Sequence, residues 1–413
     1  MNLLSNNKRV IVVGGGAAGM MAAGTAGSRG LDVTLIEKNN RLGKKLLITG
    51  KGRCNITNNT DVDGLIQNVP VNGNFLYSAF YTFSNNDLMN LFQELGLKLK
   101  IERGGRVFPE SDKAGDVVKA LEKYLRINNV NVINGEVIKI LTDNGQVIGI
   151  LLKDGRKFLG ESVIIATGGM SYPGTGSTGD GYHFAKQLGH TVTPLKPSLV
   201  PLEVNEEWVK ELQGLSLKNI SITVLNSSDK KVYNDFGEML FTHFGVSGPV
   251  ILSASSHMKD IEKQQYRLII DLKPALSQEQ LDKRIQRDFE KYSRKHYSNS
   301  LDELLPQKLI PVAVKLSAIP GDKPVNQITK EERRNLVNLL KGLTLHITRF
   351  RPIKEAIVTS GGVHVDEINP GTMESKKVKG LYFAGEVIDV DAYTGGFNLQ
   401  IAFSTGYLAG LYC

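Results

Sequence analysis

The chain has 413 residues, 41 % of them hydrophobic, with 43 glycines and a formal net charge of +8. That length exceeds a single core and allows two or three domains. Basic residues are interleaved with acidic ones, which argues against a dedicated nucleic-acid binder. Two cysteines, Cys54 and Cys413, exclude a disulfide framework.

The opening MNLLSNNKRV runs straight into an apolar segment, with no cleavable leader visible. The run VIVVGGGAAGMMAAGTAG is too rich in glycine for a membrane span. A cytoplasmic protein without a membrane partner is expected.

Residues 9–39 read as a βαβ unit. Val10–Val13 form a strand buried on both faces, Gly14, Gly16 and Gly19 give G-x-G-x-x-G, and Val33–Ile36 form a second strand ending at Glu37. Gly14 makes the tight turn, Gly16 lets the backbone approach a pyrophosphate, and Gly19 lets helix and strand pack closely. Ala17 and Ala18 open the helix, whose N-terminus faces the phosphates, and Glu37 stands where an acid bonds ribose hydroxyls. A dinucleotide is implied; the motif alone does not separate NAD from FAD.

The next stretch, RLGKKLLITGKGRCNITN, spans residues 41–58. It is not a P-loop, because six residues separate Gly43 from Gly50 and Gly52 follows Lys51. Following Glu37 directly, it suits a chain running along a flavin dinucleotide, with Lys38, Lys45 and Arg53 offsetting phosphate charge. Gly52 permits close approach and Asn55 offers an amide. The motifs GGGAAG and IEKNNRLGKKLLITGKGRCNITN resemble those of the BaiN-like, aminoacetone-oxidase-like family of bacterial FAD-dependent oxidoreductases, distant relatives of fumarate reductase flavoproteins. The resemblance implies FAD and places Arg53, Cys54 and Asn55 beside it. Cys54 is then a packed neighbour of the cofactor or a redox thiol.

Residues 75–95 read as helical with Ser84 as an N-cap. A strand, a glycine-rich turn around Arg106 and Pro109, and a helix from Lys113 to Arg126 follow. Short strands then turn at Asp143-Asn144-Gly145 and Asp154-Gly155. Val137 sits where such folds contact adenine through backbone. The strand of SVIIATGG returns the chain to the cofactor at Ala166, Thr167 and Gly168. Thr178-Gly179-Asp180-Gly181 opens a helix, either at the cofactor or merely as a cap.

From about Leu195 the chain turns to alternating strands, with Thr242, His243 and Ser247 at a strand-to-turn junction. His243 is the candidate acid or base of an insertion expected to cover the flavin. Three helices follow, with capping boxes expected at Ser277–Gln280, Ser300–Glu303 and Thr329–Glu332. The charge-rich face of EQLDKRIQRDFEKYSRK reads as a solvated helix face rather than a nucleic-acid arm. Near the end, a strand reaches Gly385-Glu386, and a loop leads to Gly396, Phe397 and Asn398 at a helix start. In FAD enzymes of this fold the acid bonds the ribityl chain. The helix N-terminus stabilises negative charge on the reduced flavin.

The expected fold is α/β: a Rossmann-like FAD-binding domain of the glutathione-reductase type from 1–194 and 346–413, with an inserted β-barrel part (195–274) and a helical part (275–345). No metal ligands are read. The resemblance implies hydride transfer on a small organic substrate, as an NAD(P)H-linked reductase of a conjugated double bond or as an amine oxidase using O₂. NAD(P)H is expected as a transient electron donor, since one G-x-G-x-x-G gives no second nucleotide domain. An RNA-modifying or regulatory flavoprotein is the alternative of another class.

Overall fold

The computed structural model describes residues 8–258 and 261–413; the opening residues 1–7, on which the expectation of no leader rests, lie outside them. The chain divides into two units: one runs to Ser198 and resumes at Ile353–Cys413, and the other is Leu199–Pro352.

The first unit is built on a parallel sheet. Its strands are β1 (Arg9–Val13), β2 (Asp32–Glu37), β3 (Asn131–Asn134), β4 (Ser162–Ile165) and β5 (Leu381–Phe383), in spatial order β5-β4-β1-β2-β3. Helix α1 (Ala17–Ser28) crosses from β1 to β2, and α2 (Phe397–Tyr412) follows β5. The central strands are unbroken apolar runs because both faces are covered; Val12, Leu35, Ile164 and Phe383 have no exposed surface. Connections leave β1 toward β2 on one side while β4 lies on the other, so the order reverses at β1. That is where ligands bind in open α/β sheets, beyond the carboxyl ends of the strands.

Helices α1 and α2 are hydrophobic all round and pack backbone to backbone. A Cβ on Gly406 would lie 2.4 Å from the Ala18 carbonyl oxygen, and one on Gly410 2.3 Å from that of Ala22. A small sheet of Thr57–Asn58, Arg106–Pro109 and Leu99–Glu102 lies beyond β2 in the chain. Arg106 and Pro109 are therefore strand residues, and the turn is at 103–105. Gly104 and Gly105, both at positive φ, supply that turn, which the sequence suggests two residues too late.

The second unit is a closed six-stranded barrel: Leu202–Val204, Gly245–Ser247, Lys231–Phe241, Ser216–Asn226, Tyr266–Asp271 and Leu343–Phe350, the last pairing back to the first. Helices Gln278–Lys291, Ile310–Ser317 and Lys330–Lys341 come between the last two strands. The expected boundary at 345/346 falls inside the final barrel strand. Ser277 and Thr329 form complete capping boxes. Ser300 does not: its hydroxyl donates to the Tyr297 carbonyl, and the helix starts ten residues later at Ile310 with Pro311 in its first turn. Pro in the first turn needs no N–H partner there.

Candidate cofactor and active site

The segments singled out from the sequence converge on the carboxyl edge of the parallel sheet. Gly14–Gly19 follows β1, Glu37 ends β2, Ala166–Gly168 follows β4, and Gly385-Glu386 follows β5.

The three glycines of the first turn are glycines for different reasons. Gly14 has φ of +106°, and a Cβ on it would lie 2.5 Å from the Ala166 carbonyl oxygen. One on Gly19 would lie 1.8 Å from the Gly14 carbonyl oxygen. These two are required by the protein's own packing. Gly16 is different: its backbone is extended (φ −84°, ψ −167°), and a Cβ there would meet nothing within 4 Å. Nothing in the chain demands glycine at that position, and no side chain caps α1. The space in front of the helix N-terminus, with its outward N–H groups, suits an anion such as a pyrophosphate.

Glu37 is 9 % exposed and holds this loop to β2. One carboxylate oxygen accepts the Gly15 N–H at 2.7 Å; the other accepts the Asn39 backbone N–H at 2.7 Å and its amide at 2.6 Å. The Gly135 N–H donates to the Glu37 carbonyl, which sets buried Val137 two residues beyond the same strand end. Lys38 points elsewhere: its ammonium lies 2.6 Å from Asp180 and 2.5 Å from the Thr178 hydroxyl. The T-G-D-G segment is thus tied to β2 by an ion pair as well as opening helix Asp180–Gln187.

Lys45 and Glu386 form a second pair at 2.8 Å, joining the loops after β2 and β5. Ser171 accepts from Lys45 at 2.6 Å and donates to Glu386 at 3.0 Å, and the Thr359 N–H donates to Glu386 at 2.8 Å. Burial alone would raise the Glu386 carboxyl, but the Lys45 charge and these donors outweigh it and hold it below the usual carboxylate range.

In the stretch 41–58 the residues separate. Arg53 is engaged by Glu102 and Asp112 and lies 4.1 Å over the Phe108 ring, so its charge is spent on the small sheet. Cys54 is fully buried with φ of +63°, and burial pushes its thiol up to about 12. At that value it carries no thiolate for redox chemistry at neutral pH. Asn55 is the residue left unsatisfied: its buried side-chain oxygen has no partner. The Thr167 hydroxyl is in the same condition; it lies against Gly181, on which a Cβ would come within 2.2 Å of it. The open cradle at Gly16, and buried polar atoms left unpaired on other loops of the same unit, fit a polar cofactor.

At α2, a Cβ on Gly396 would lie 2.3 Å from the Thr57 carbonyl oxygen, so this helix start is pressed onto the small sheet. The Thr57 hydroxyl bonds Gln400 at 2.5 Å. Phe397 is buried, and the Asn398 amide is spent on the loop before it, bonding the N–H and C=O of Ala392 and the C=O of Tyr393. A Cβ on Gly385 would lie 2.9 Å from that of Ala18, which brings the Glu386 loop onto the first turn of α1. Gly52, at φ of +84°, belongs to the loop between Lys45 and Asn55.

His243 is exposed in the turn joining two barrel strands, its ring edge-on to Phe244. Thr242 closes that turn through bonds to Gly245, so its polar groups are satisfied locally. Ser171, Thr359, Asp389 and Asp391 were not singled out by sequence. Two acids two residues apart in the apolar run VIDVDA were the available signal. Among the described residues no group of three or more His, Cys, Asp or Glu could hold a metal ion, and no helix is long and apolar enough to cross a membrane.

A family model described as HI0933-like protein Rossmann domain matches residues 8–412. Over 382 residues the chain is 32 % identical to the 3-dehydro-bile acid delta(4,6)-reductase of Clostridium scindens, covering 92 % of this chain and 91 % of that one. Over 400 residues it is 31 % identical to the ribosomal RNA dihydrouridine synthase of Escherichia coli, covering 94 % of each. Among solved structures, 3-ketosteroid delta1-dehydrogenase from Sterolibacterium denitrificans aligns over 98 % of this chain and 99 % of that one, with a TM-score of 0.51 at 15 % identity. That is a likeness of fold alone.

Proposed function

The chain belongs to the HI0933-like Rossmann-domain family, and from that premise we propose that this FAD-dependent oxidoreductase reduces a carbon–carbon double bond conjugated to a carbonyl. The observation that carries this reading is chemical. Two relatives of equal standing are named for unrelated molecules, a 3-oxo bile acid and a uridine of ribosomal RNA. Each name describes the same bond change: a ring C=C next to a carbonyl becomes saturated. Such a bond accepts a hydride at its β-carbon because the carbonyl takes up the charge.

When bound, FAD supplies the hydride. The residues that would hold it are those of the carboxyl edge. The α1 N-terminus with Gly16, Ala17 and Ala18 would take the pyrophosphate, and Glu37 the ribose hydroxyls. Glu386, with Lys45, would take the ribityl chain, and Asn55 and Thr167 would satisfy their orphaned oxygens on the cofactor. The N-terminus of α2 would stabilise negative charge on the reduced ring. A dihydronicotinamide acting by transient docking is the proposed electron donor. The substrate is a polycyclic enone or the uracil ring of an RNA. The second choice restores a nucleic-acid partner that the interleaved charge of the chain argues against.

The test is anaerobic. Purified protein is reduced with NADH or NADPH and mixed with a 3-oxo-4,6-diene steroid or with ribosomal RNA. The expected result is return of the oxidised-flavin absorbance with a product two mass units heavier. Reduction of the flavin by a small amine, with peroxide release in air and no response to either acceptor, would replace this reading with the amine oxidase.

A further inference from the structure

The Lys45–Glu386 pair does not stand alone, because one hydroxyl lies against both of its ends. Ser171 has no exposed surface. Its oxygen accepts a Lys45 proton at 2.6 Å, and it lies 3.0 Å from one Glu386 oxygen and 3.3 Å from the Ile357 carbonyl, to either of which it can donate. The loops after β2, β4 and β5 thus meet on one atom. The chain around Ser171 is shaped to place it there. Met170, the residue before it, donates its N–H to the Thr359 hydroxyl at 2.8 Å. The Thr359 N–H in turn donates, at 2.8 Å, to the same Glu386 oxygen that Ser171 reaches. A Cβ on Gly169 would lie 2.6 Å from that oxygen, so glycine there is what admits the carboxylate.

The cluster leaves some hydrogen-bonding capacity over. An ammonium has three protons and a carboxylate about four acceptor sites. Lys45 gives one proton to Ser171 and one to Glu386; among the described residues the third has no acceptor. Glu386 receives Ser171 and Thr359 on one oxygen and only Lys45 on the other. One N–H and one lone pair therefore remain, on the two atoms of a single ion pair 2.8 Å long. Both side chains reach solvent, at 24 % and 19 % exposure. A donor beside an acceptor is the complement of a hydroxyl, which accepts and donates at once. An ionised phosphate or a carbonyl, which only accepts, would use half of it.

We propose that Ser171 is a positioning residue for the cofactor: it holds Lys45 and Glu386 so that the remaining N–H and lone pair face one hydroxyl of the ribityl chain. This rests on the part of the reading above that holds FAD at Glu386 and Lys45, and not on the choice of substrate. Without Ser171 the ion pair can persist, but its spare donor and acceptor lose their fixed direction. Ser171 acts through the pair and not on the reacting atoms.

The test is a competition, in which a general loss of stability cancels. Holoenzyme is equilibrated with equal excesses of FAD and one of three FAD analogues, each lacking a different ribityl hydroxyl. The bound flavins are then released and quantified by mass spectrometry. Wild type should prefer FAD over one of the analogues by about tenfold or more, since hydrogen bonds to charged groups are lost with that hydroxyl. Ser171→Ala should cut this preference to about threefold or less and leave the other two preferences unchanged. Ser171→Cys keeps a side chain of similar size with a weak hydrogen-bonding group, should behave alike, and serves if the Ala variant does not fold. Variants that keep the wild-type preference within about twofold overturn the proposal and leave Glu386 and Lys45 as the ribityl partners. A preference that falls equally against all three analogues also overturns it, because that is loosened packing. A wild type that binds FAD but ignores all three deletions removes the ribityl chain from Glu386, and the positioning role with it. A wild type that takes up no flavin overturns the FAD reading itself.

Discussion

Gly16 and Gly19 are three residues apart, and substituting them should fail in opposite ways. A side chain at Gly19 collides with the backbone of Gly14, so Gly19→Val should destabilise the fold by about 3 kcal/mol or more. At Gly16 a side chain enters open space. Gly16→Val should cost only ~1 kcal/mol, as a poorer N-cap, yet yield protein without FAD. Thermal melts of the cofactor-free proteins, beside flavin content after purification, separate the two cases. Equal melting losses would mean the open space is not a cofactor cradle. Cys54 belongs to the same scale. With its thiol pushed up to about 12, the thiolate at pH 8 is on the order of 10⁻⁴ of the population. Iodoacetamide should leave it unlabelled in the native protein and label it after denaturation.

Between elements, the Lys45–Glu386 pair ties together the loops after β2 and β5. Lys45→Met should leave Glu386 buried without its cation and cost about 1–3 kcal/mol near neutral pH. Because the folded Glu386 lies below its unfolded value, its contribution is present above about pH 4.3 and lost as pH falls through the lower folded value. The difference in Tm between Lys45→Met and wild type should shrink to nothing in acid. A pH-independent difference would assign the effect to packing. Such a pair shows where sequence reading stops. Gly14 and Gly19 are legible because a strand-to-helix turn imposes its demands within six residues. Lys38 and Arg53 read as phosphate partners because their companions, Asp180 and the Glu102–Asp112 pair, are separated from them by long stretches of chain. Ser300 carries a capping-box spacing, but the tertiary bond to Tyr297 wins. Asn55 is legible as an amide in a glycine-rich loop; that its oxygen is orphaned is a property of its neighbours.

At the scale of the molecule, three strands of the parallel sheet are readable because each apolar run leads within a few residues to glycine, β1 to Gly14, β4 to Gly168 and β5 to Gly385, while β2 is marked by its terminal Glu37. The barrel is less legible. Its strands alternate, but which strand closes on which depends on pairings as distant as Leu202 with Phe350. Two separate apolar cores, one in each unit, imply two cooperative transitions. Urea unfolding followed by far-UV circular dichroism should be biphasic, and FAD should shift only the transition of the sheet-bearing unit. A single transition shifted as a whole would mean that the two units unfold together.

The closing of the barrel by its first and last strands has a consequence for ancestry. Immediately outside it, Lys196–Ser198 pairs antiparallel with Val358–Ser360, so the host strands are already side by side where the insertion leaves and returns. Inside, Leu202–Val204 lies against Leu343–Phe350. Some 150 residues thus enter and leave through neighbouring strands, and the entropy of joining distant ends grows only slowly with loop length. To the nucleotide-binding unit the whole barrel is a hairpin loop. A segment attached in this way can be lengthened, exchanged or lost by recombination without disturbing the sheet beneath it. One dinucleotide scaffold can then carry different barrels.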